Sequence, residues 1–281
     1  MLGKRKNRMA LLLYFFAIFI TFSAIGAAHA AETVKIGAVL PLSGGVAGAA
    51  SWVVDGVKMS VDDINARGGI QVQGKGYKID LVLYDSKCEP APGVAAVEKL
   101  VSRDKVIGVI GDYCSHCTLA QREITNRNKI VQITPSSVHP KITAPEFPYI
   151  FRITNTMDVI AGGFVKFIVK KLPIKNVAFL AITDDYGRSA VDRYSQLFPN
   201  NGIKIIGVEY FKHGDTDFYT QITKLLAGTP EAIYIVTDED SQSIGTLKQL
   251  KELGFKGNIF GSSTFATDNI LKLGGKQLLE G

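Results

Sequence analysis

The residues with the clearest chemical potential lie in the stretch GDYCSHCTLA, where Cys114 and Cys117 are separated by Ser115 and His116. A C-x-x-C pair can be a redox couple, half of a metal site, or two cysteines with structural roles. A third cysteine, Cys88, lies in YDSKCEP earlier in the chain. Which interpretation applies depends on the compartment in which the protein resides and on the partner of Cys88.

Other patterns typical of catalysis or metal binding are absent from the sequence. It contains no P-loop, no G-x-S-x-G, no H-E-x-x-H and no G-x-G-x-x-G that follows a strand. The histidines His29, His116, His139 and His213 show neither H-x-x-x-H nor H-x-H spacing, which argues against a zinc site. We therefore predict a protein that is not an enzyme, with no cofactor and no metal.

The N-terminus has the composition of a secretory signal peptide. Four basic residues within the first eight positions precede the apolar run ALLLYFFAIFITFSAIGAA, and the small-residue sequence Ala28-His29-Ala30 follows. These features predict that residues 1–30 are cleaved on export. An uncleaved membrane anchor is the alternative, because the apolar run is long. Export predicts a periplasmic or other extracytoplasmic location, where an oxidising environment preserves disulfides.

The charge balance excludes one class of partner. The 32 Lys+Arg and 26 Asp+Glu become 28 and 26 once residues 1–30, with four basic and no acidic residues, are removed. A net charge near +2 and the absence of a basic stripe interleaved with aromatics argue against nucleic-acid binding. The remaining 251 residues exceed one typical domain and suggest two lobes.

Short apolar segments alternate with amphipathic ones along the chain, which predicts parallel sheets flanked by helices, an α/β fold. A proline-rich segment near residues 140–150 interrupts the alternation. We predict a signal peptide over 1–30, a first lobe over 31–152 and a second over 153–281. The predicted strands cover 34–42, 77–85, 106–111, 176–183, 203–211 and 232–237. The predicted helices include 52–66, 118–127, 187–198, 218–227 and 241–253.

A set of motifs in fixed order resembles one protein family over about residues 34–281. The motifs include VKIGAVLPLSGGVAG, DINARGGI, GDYCSHCT, ITPSS, FRIT, DDYG, GDTDF and LKELGF. Together they are similar to the substrate-binding proteins of branched-chain amino acid ABC importers, the Leu/Ile/Val type. The resemblance implies a two-lobed periplasmic-binding-protein fold with a ligand cleft between the lobes.

The same resemblance implies the function. A monomeric exported receptor would capture a small amino acid, or a related carboxylate or amide, by hinge closure and deliver it to a membrane ABC permease. Two alternatives remain open from the sequence: an extracellular sensory domain, and a thiol oxidoreductase using Cys114 and Cys117. The family chain usually returns to the first lobe after the second, so the resemblance also implies that later elements are missing from this sequence.

Particular residues match the family's ligand and disulfide positions. Cys88 and Cys114 match its disulfide, and Cys117 stands where the family has serine. In open α/β sheets, the ligand crevice is formed by the loops that follow the carboxyl ends of the strands and by the helix N-termini there. The matched ligand-binding positions are Ser115, Ser136, Ser137 and Val138 in the first lobe, with Tyr186 and Glu239 in the second.

Several departures bear on the identity of the ligand. Val138 replaces a threonine, Ala49 a tyrosine and Ser263 the carboxylate that amino-acid binders direct at the ligand ammonium. A buried ammonium without a carboxylate partner is costly. Either an acid among Asp158, Asp238 and Glu239 replaces that carboxylate, or the ligand is not an α-amino acid. Trp52 is either an aromatic wall of the cleft or a core residue of its helix.

Overall fold

The computed structural model describes residues 32–279. The predicted signal peptide, residues 1–30, lies outside this range. None of the helices between residues 32 and 279 is both long and apolar enough to cross a membrane.

The first lobe is built on a six-stranded sheet in the order β2-β3-β1-β4-β5-β6. All neighbouring strands are parallel except the hairpin of β2 and β3. A π-helical turn (Leu100–Asp104) extends α2, and a 3₁₀ turn (Pro140–Thr143) follows β5. The elements are β1 (Glu32–Leu40), α1 (Ala47–Ala66), β2 (Ile70–Val72), β3 (Lys75–Asp85), α2 (Pro90–Lys99), β4 (Gly108–Gly111), α3 (Ser115–Arg127), β5 (Val131–Thr134) and β6 (Ile150–Arg152).

The second lobe has a four-stranded parallel sheet in the order β10-β9-β7-β8. A 3₁₀ turn (Ser263–Ala266) follows β10. The elements are α4 (Met157–Lys171), β7 (Asn176–Ile182), α5 (Asp185–Asn200), β8 (Lys204–Phe211), α6 (Tyr219–Ala227), β9 (Ala232–Val236), α7 (Asp240–Glu252), β10 (Asn258–Gly261), α8 (Asp268–Gly274) and α9 (Lys276–Leu279).

Strand β7 shows why the sequence forms a sheet covered on both faces. Six of its seven residues are buried, and they form an almost continuous apolar run. Because successive side chains point to opposite faces, Val177, Phe179 and Ala181 pack into one core with α4 and α5. Ala178, Leu180 and Ile182 pack into another on the opposite face. A parallel strand with helices on both sides requires this composition.

The predicted α/β alternation is confirmed, with shifts at the element ends. The helix predicted from Trp52 begins at Ala47, and the one predicted from Thr118 begins at Ser115. Strands β5 and β6 and helix α4 were not among the predicted elements. The first turn of α5 approaches β7 closely at Gly187, where a Cβ would lie 1.9 Å from the carbonyl oxygen of Ile182, so only glycine fits. That close approach brings the start of α5 to the carboxyl end of β7.

Candidate ligand-binding site

A cavity of about 100 Å³ lies between the carboxyl ends of the two sheets. On the same measure of volume, a single water molecule needs roughly 10–15 Å³. The cavity is therefore large enough for a small organic ligand. Its first-lobe wall comes from the loops after β4 and β5. Its second-lobe wall comes from α4, α5 and the loops after β9 and β10.

Ser115 lies at the start of α3 and lines the cavity. Its Oγ accepts hydrogen bonds from the backbone N–H groups of Val138 (3.2 Å) and His139 (3.4 Å). Both bonds use oxygen lone pairs, so the hydroxyl proton remains available for donation. The first-turn amides of a helix also lack carbonyl partners within the helix, which favours an anion at this end. Ser115 therefore lines the cavity and also bridges two loops of the first lobe.

The three residues predicted in the loop after β5 do not all face the cavity. Ser136 and Val138 line the cavity, whereas Ser137 is buried away from it. The Ser137 hydroxyl lies 2.6 Å from Thr118 Oγ1, and its carbonyl accepts from Arg152 at 3.0 Å. Ser137 thus holds the loop in place, while its neighbours face the cavity.

The second-lobe wall is largely apolar and aromatic. Tyr186, one of the predicted ligand-binding residues, lines the cavity, and burial raises the pKa of its hydroxyl well above the usual value, so the group stays neutral. Tyr194 and Tyr234 pack beside it, with their hydroxyls 3.0 Å apart. Further apolar lining comes from Met157, Ile160, Ala190 and Val236.

Of the three acids considered from the sequence, Asp238 alone lines the cavity. Its side chain is buried, and its Oδ1 makes no hydrogen bond but lies 3.8 Å from His213 Nδ1. Burial raises the pKa of Asp238 to about 7. Glu239 instead faces away, and its Oε1 accepts from His213 Nδ1 (2.8 Å) and the Gly214 amide (3.2 Å). Asp158 forms an ion pair with Arg193 at 2.9 Å.

The remaining positions of interest line the opening of the cleft. A second depression adjoins the cavity and shares Tyr113, Ser136, Ser263 and Thr264 with it. Ala49 and Trp52 lie in this depression. Trp52 is 58% exposed, so it forms an outer aromatic wall and is not a core residue of α1.

Cys88 and Cys114 form the predicted disulfide, with their Cα atoms 5.7 Å apart. Cys117 is free and buried, and burial raises the pKa of its thiol, which keeps it in the unreactive neutral form. Cys114 is therefore not paired with Cys117, and the structure contradicts the redox-couple alternative. The disulfide ends directly before Ser115, so it anchors the start of α3.

A buried carboxylate that the sequence analysis did not single out, Asp112, organises the same loop. Its Oδ1 accepts from the amides of Tyr113 (2.6 Å) and Cys114 (3.3 Å), and its Oδ2 accepts from Gln121 Nε2 at 2.7 Å. Burial raises the pKa of Asp112 to about 6 despite these bonds. The sequence signal that could have identified Asp112 is its position directly after a strand and before a helix start.

The two lobes touch beside the cavity. The Met157 amide donates to the Val138 carbonyl at 2.8 Å, and Asn269 Nδ2 donates to the Gly48 carbonyl at 3.1 Å. Gly45 lies so close to Glu239 that a Cβ would be 2.6 Å from the Glu239 carboxyl carbon. These contacts describe a closed cleft.

A charged cluster that the sequence analysis also missed crosses the same interface. Asp184, the N-cap of α5, lies 3.0 Å from His116 Nδ1 and 3.2 Å from His213 Nε2. Burial alone would lower the pKa of both histidines, but the neighbouring carboxylates raise it, to about 10 for His213. The three residues are far apart in sequence and belong to different motifs, so their spacing gave no signal.

Two α/β lobes, each built on a mainly parallel sheet, close over a shared cavity. This is the architecture of a bilobal solute-binding protein. The chain belongs to the periplasmic binding protein family, whose sequence model matches residues 33–281. The predicted resemblance and two-lobed fold are thereby confirmed.

Curated relatives carry amino-acid-binding names. An amino acid binding protein of Pseudomonas aeruginosa is 32% identical over 257 residues, which is 90% of this chain and 67% of the relative. The Leu/Ile/Val-binding protein of Escherichia coli is 27% identical over 246 residues, 88% of this chain and 65% of the relative. The chain thus spans about two thirds of the length of these relatives.

Solved structures share the fold. A leucine-binding protein from Thermotoga maritima superposes with a TM-score of 0.80 at 24% identity, covering 87% of this chain and 67% of that one. A branched-chain amino acid transporter substrate-binding protein from Streptococcus pneumoniae, in complex with isoleucine, gives a TM-score of 0.78 at 25% identity. That match covers 88% of this chain and 69% of the other.

Proposed function

We propose that this protein is an exported receptor that binds an aliphatic α-amino acid between its lobes and presents it to an ABC permease. The observation that carries the proposal is Asp238, a buried carboxylate that lines the same cavity as Ser115 and whose Oδ1 makes no hydrogen bond. His213 Nδ1, at 3.8 Å, is too distant to donate a hydrogen bond to it, so a ligand ammonium group would supply the direct cationic partner that a buried carboxylate needs.

The walls complement the other parts of such a ligand. The Ser115 hydroxyl and the N-terminus of α3 suit the ligand carboxylate, because both offer donors and the helix dipole favours negative charge. Met157, Ile160 and Val236 supply apolar contact for an aliphatic side chain. Asp238 thereby takes the role that Ser263 cannot fill, since a serine hydroxyl carries no charge.

Capture follows from the position of the site between the lobes. A ligand that contacts Ser115 in one lobe and Asp238 in the other binds the closed form better than the open form, so it shifts the population toward closure. The names of the relatives, which include amino acid binding and branched-chain amino acid transport, support this class of ligand. The closed form with its bound ligand is the form that would deliver the ligand to the permease.

The test replaces Asp238 by asparagine and measures leucine affinity by calorimetry. Loss of a charged hydrogen-bond partner costs roughly 1.5–3 kcal/mol, so Asp238→Asn is expected to weaken leucine binding by roughly 10- to 100-fold. Thermal stability without ligand is expected to stay near wild type, because the variant avoids burying a charge but loses the attraction to His213, 3.8 Å away.

The matched control is Asp158→Asn. Asp158 is also an acid of the second lobe, but its partner is Arg193 and it does not line the cavity. This variant is expected to retain wild-type affinity. Equal leucine affinity in wild type and Asp238→Asn would refute the assignment of Asp238 to the ammonium group.

A further inference from the structure

The cluster of His116, Asp184 and His213 lies outside the solute cavity, since none of the three lines it. His116 comes from the start of α3 in the first lobe. Asp184 and His213 come from the second lobe, after β7 and β8. One Asp184 oxygen, Oδ2, lies 3.0 Å from His116 Nδ1 and 3.2 Å from His213 Nε2. The cluster therefore joins the lobes beside the cavity, where His213 Nδ1 lies 3.8 Å from Asp238 Oδ1.

In each histidine, the ring nitrogen that faces away from Asp184 lies within hydrogen-bond distance of an acceptor oxygen. His116 Nε2 lies 2.8 Å from the Cys88 carbonyl oxygen, which can only accept a hydrogen bond. His213 Nδ1 lies 2.8 Å from Glu239 Oε1, which is a carboxylate oxygen. Both nitrogens must therefore carry hydrogen, which leaves the lone pairs of the neutral rings directed at Asp184. Metal-bound histidines show this same outer arrangement, with the second nitrogen donating to a carbonyl or carboxylate.

With neutral rings, three acceptor atoms converge, and either protons or a metal cation must lie between them. In the metal-free protein a proton on His213 Nε2 is donated to Asp184 at 3.2 Å, but His116 is not satisfied in the same way. His116 Nδ1 is buried and makes no hydrogen bond of acceptable geometry, and its side chain is only 10% exposed. The three candidate ligand atoms lie within 4.8 Å of one another. Ligand atoms 2.0–2.1 Å from a tetrahedral zinc are about 3.3 Å apart, close to the two distances observed here.

We propose that His116 Nδ1, Asp184 Oδ2 and His213 Nε2 bind a divalent transition metal of the zinc type, which bridges the two lobes. Two imidazoles and a carboxylate are ligands that such ions accept, and a tetrahedral ion would complete its shell with water. Asp184 retains its helix-capping role, because its other oxygen accepts from the Gly187 amide at 2.8 Å.

The bridge has a thermodynamic consequence. The complete ligand set exists only when the first-lobe His116 meets the two second-lobe ligands, so the metal favours the closed form. Any solute that also favours closure must then bind more tightly with metal present, and the metal more tightly with solute present. None of the three proposed metal ligands belongs to the solute, so zinc binding can be measured without solute.

The test is a calorimetric titration of chelator-treated protein with zinc chloride in the absence of solute. Cobalt(II) absorption provides a second readout, because four-coordinate cobalt gives intense visible bands. We expect one saturable site per chain. His116→Ala and His213→Ala are each expected to lower the affinity at least about tenfold, since even loss of an outer-sphere partner costs about that much.

His139→Ala is the matched control, because His139 contacts the Lys141 amide and lies outside the cluster. It is expected to bind zinc like wild type, and melting curves will verify that all variants are folded. Failure to bind zinc at one site per chain would overturn the proposal and show that protons alone occupy the cluster. Zinc affinity that is unchanged in both His116→Ala and His213→Ala would overturn it equally.

Discussion

Removal of the disulfide is expected to affect stability and ligand binding together. The bridge joins residues 26 positions apart, and closing a loop of that length restricts the unfolded chain. The chain-entropy model assigns about 3.5 kcal/mol to such a loop. The double variant Cys88→Ser/Cys114→Ser removes both thiols, so Cys114 cannot pair with Cys117 instead.

Binding is affected because the disulfide ends at the N-cap of α3, directly before Ser115. Without the bridge, the loop must become ordered when the ligand arrives, and this ordering reduces the affinity. The matched control is Cys117→Ser, which removes a buried cysteine that is not bonded to another. We expect this control to stay near wild type in both properties.

Urea unfolding and calorimetry with leucine measure the two effects. With slopes of about 1–3 kcal/mol/M, a loss of about 3.5 kcal/mol moves the midpoint by about 1 M or more. A double variant as stable as Cys117→Ser would refute the stabilising role of the bridge. A peptide linking Cys114 to Cys117 in mass spectrometry of the unreduced protein would refute the pairing itself.

Two further substitutions test the closed cleft and its first-lobe wall. Gly45→Ala places a Cβ 2.6 Å from the Glu239 carboxyl carbon, so the carboxylate must move and weaken its hydrogen bond to His213 when the cleft closes. The variant is expected to weaken leucine binding by roughly 0.5–1.5 kcal/mol. Gly56→Ala, where a Cβ meets nothing within 4 Å, is its control, and equal affinities would refute the closure contact. Ser115→Ala is expected to cost roughly 1–3 kcal/mol of binding and about 1 kcal/mol of stability, because two backbone amides lose their acceptor. Its control is the exposed Ser60→Ala, and an unchanged leucine Kd in Ser115→Ala would show that the hydroxyl is only structural.

Much of the fold was predictable because the signals were local. Apolar runs such as β7 identify buried strands whatever the rest of the chain does. The short strands β5 and β6 were missed, because three or four residues give no clear periodicity. The start of α3 was placed three residues late, since its first turn consists of small and polar residues typical of loops.

The site was predictable only to the level of loops. Asp238 and Glu239 are adjacent after β9, yet one lines the cavity and the other binds His213. Ser136 and Ser137 diverge in the same way. Which neighbour faces inward depends on backbone angles that the residue types do not reveal. The cluster around Asp184 depends further on how the lobes meet, and no sequence spacing encodes that.

The central claim is that the cavity recognises the amine as well as the carboxylate of its ligand. The most direct measurement is calorimetry of the wild-type protein with leucine and with 4-methylpentanoate, which has the same carbon skeleton and carboxylate but no amine. Because only leucine can satisfy Asp238, leucine is expected to bind at least about tenfold more tightly. Binding of 4-methylpentanoate with equal or greater affinity would contradict the account, because Asp238 would then have no part in recognition.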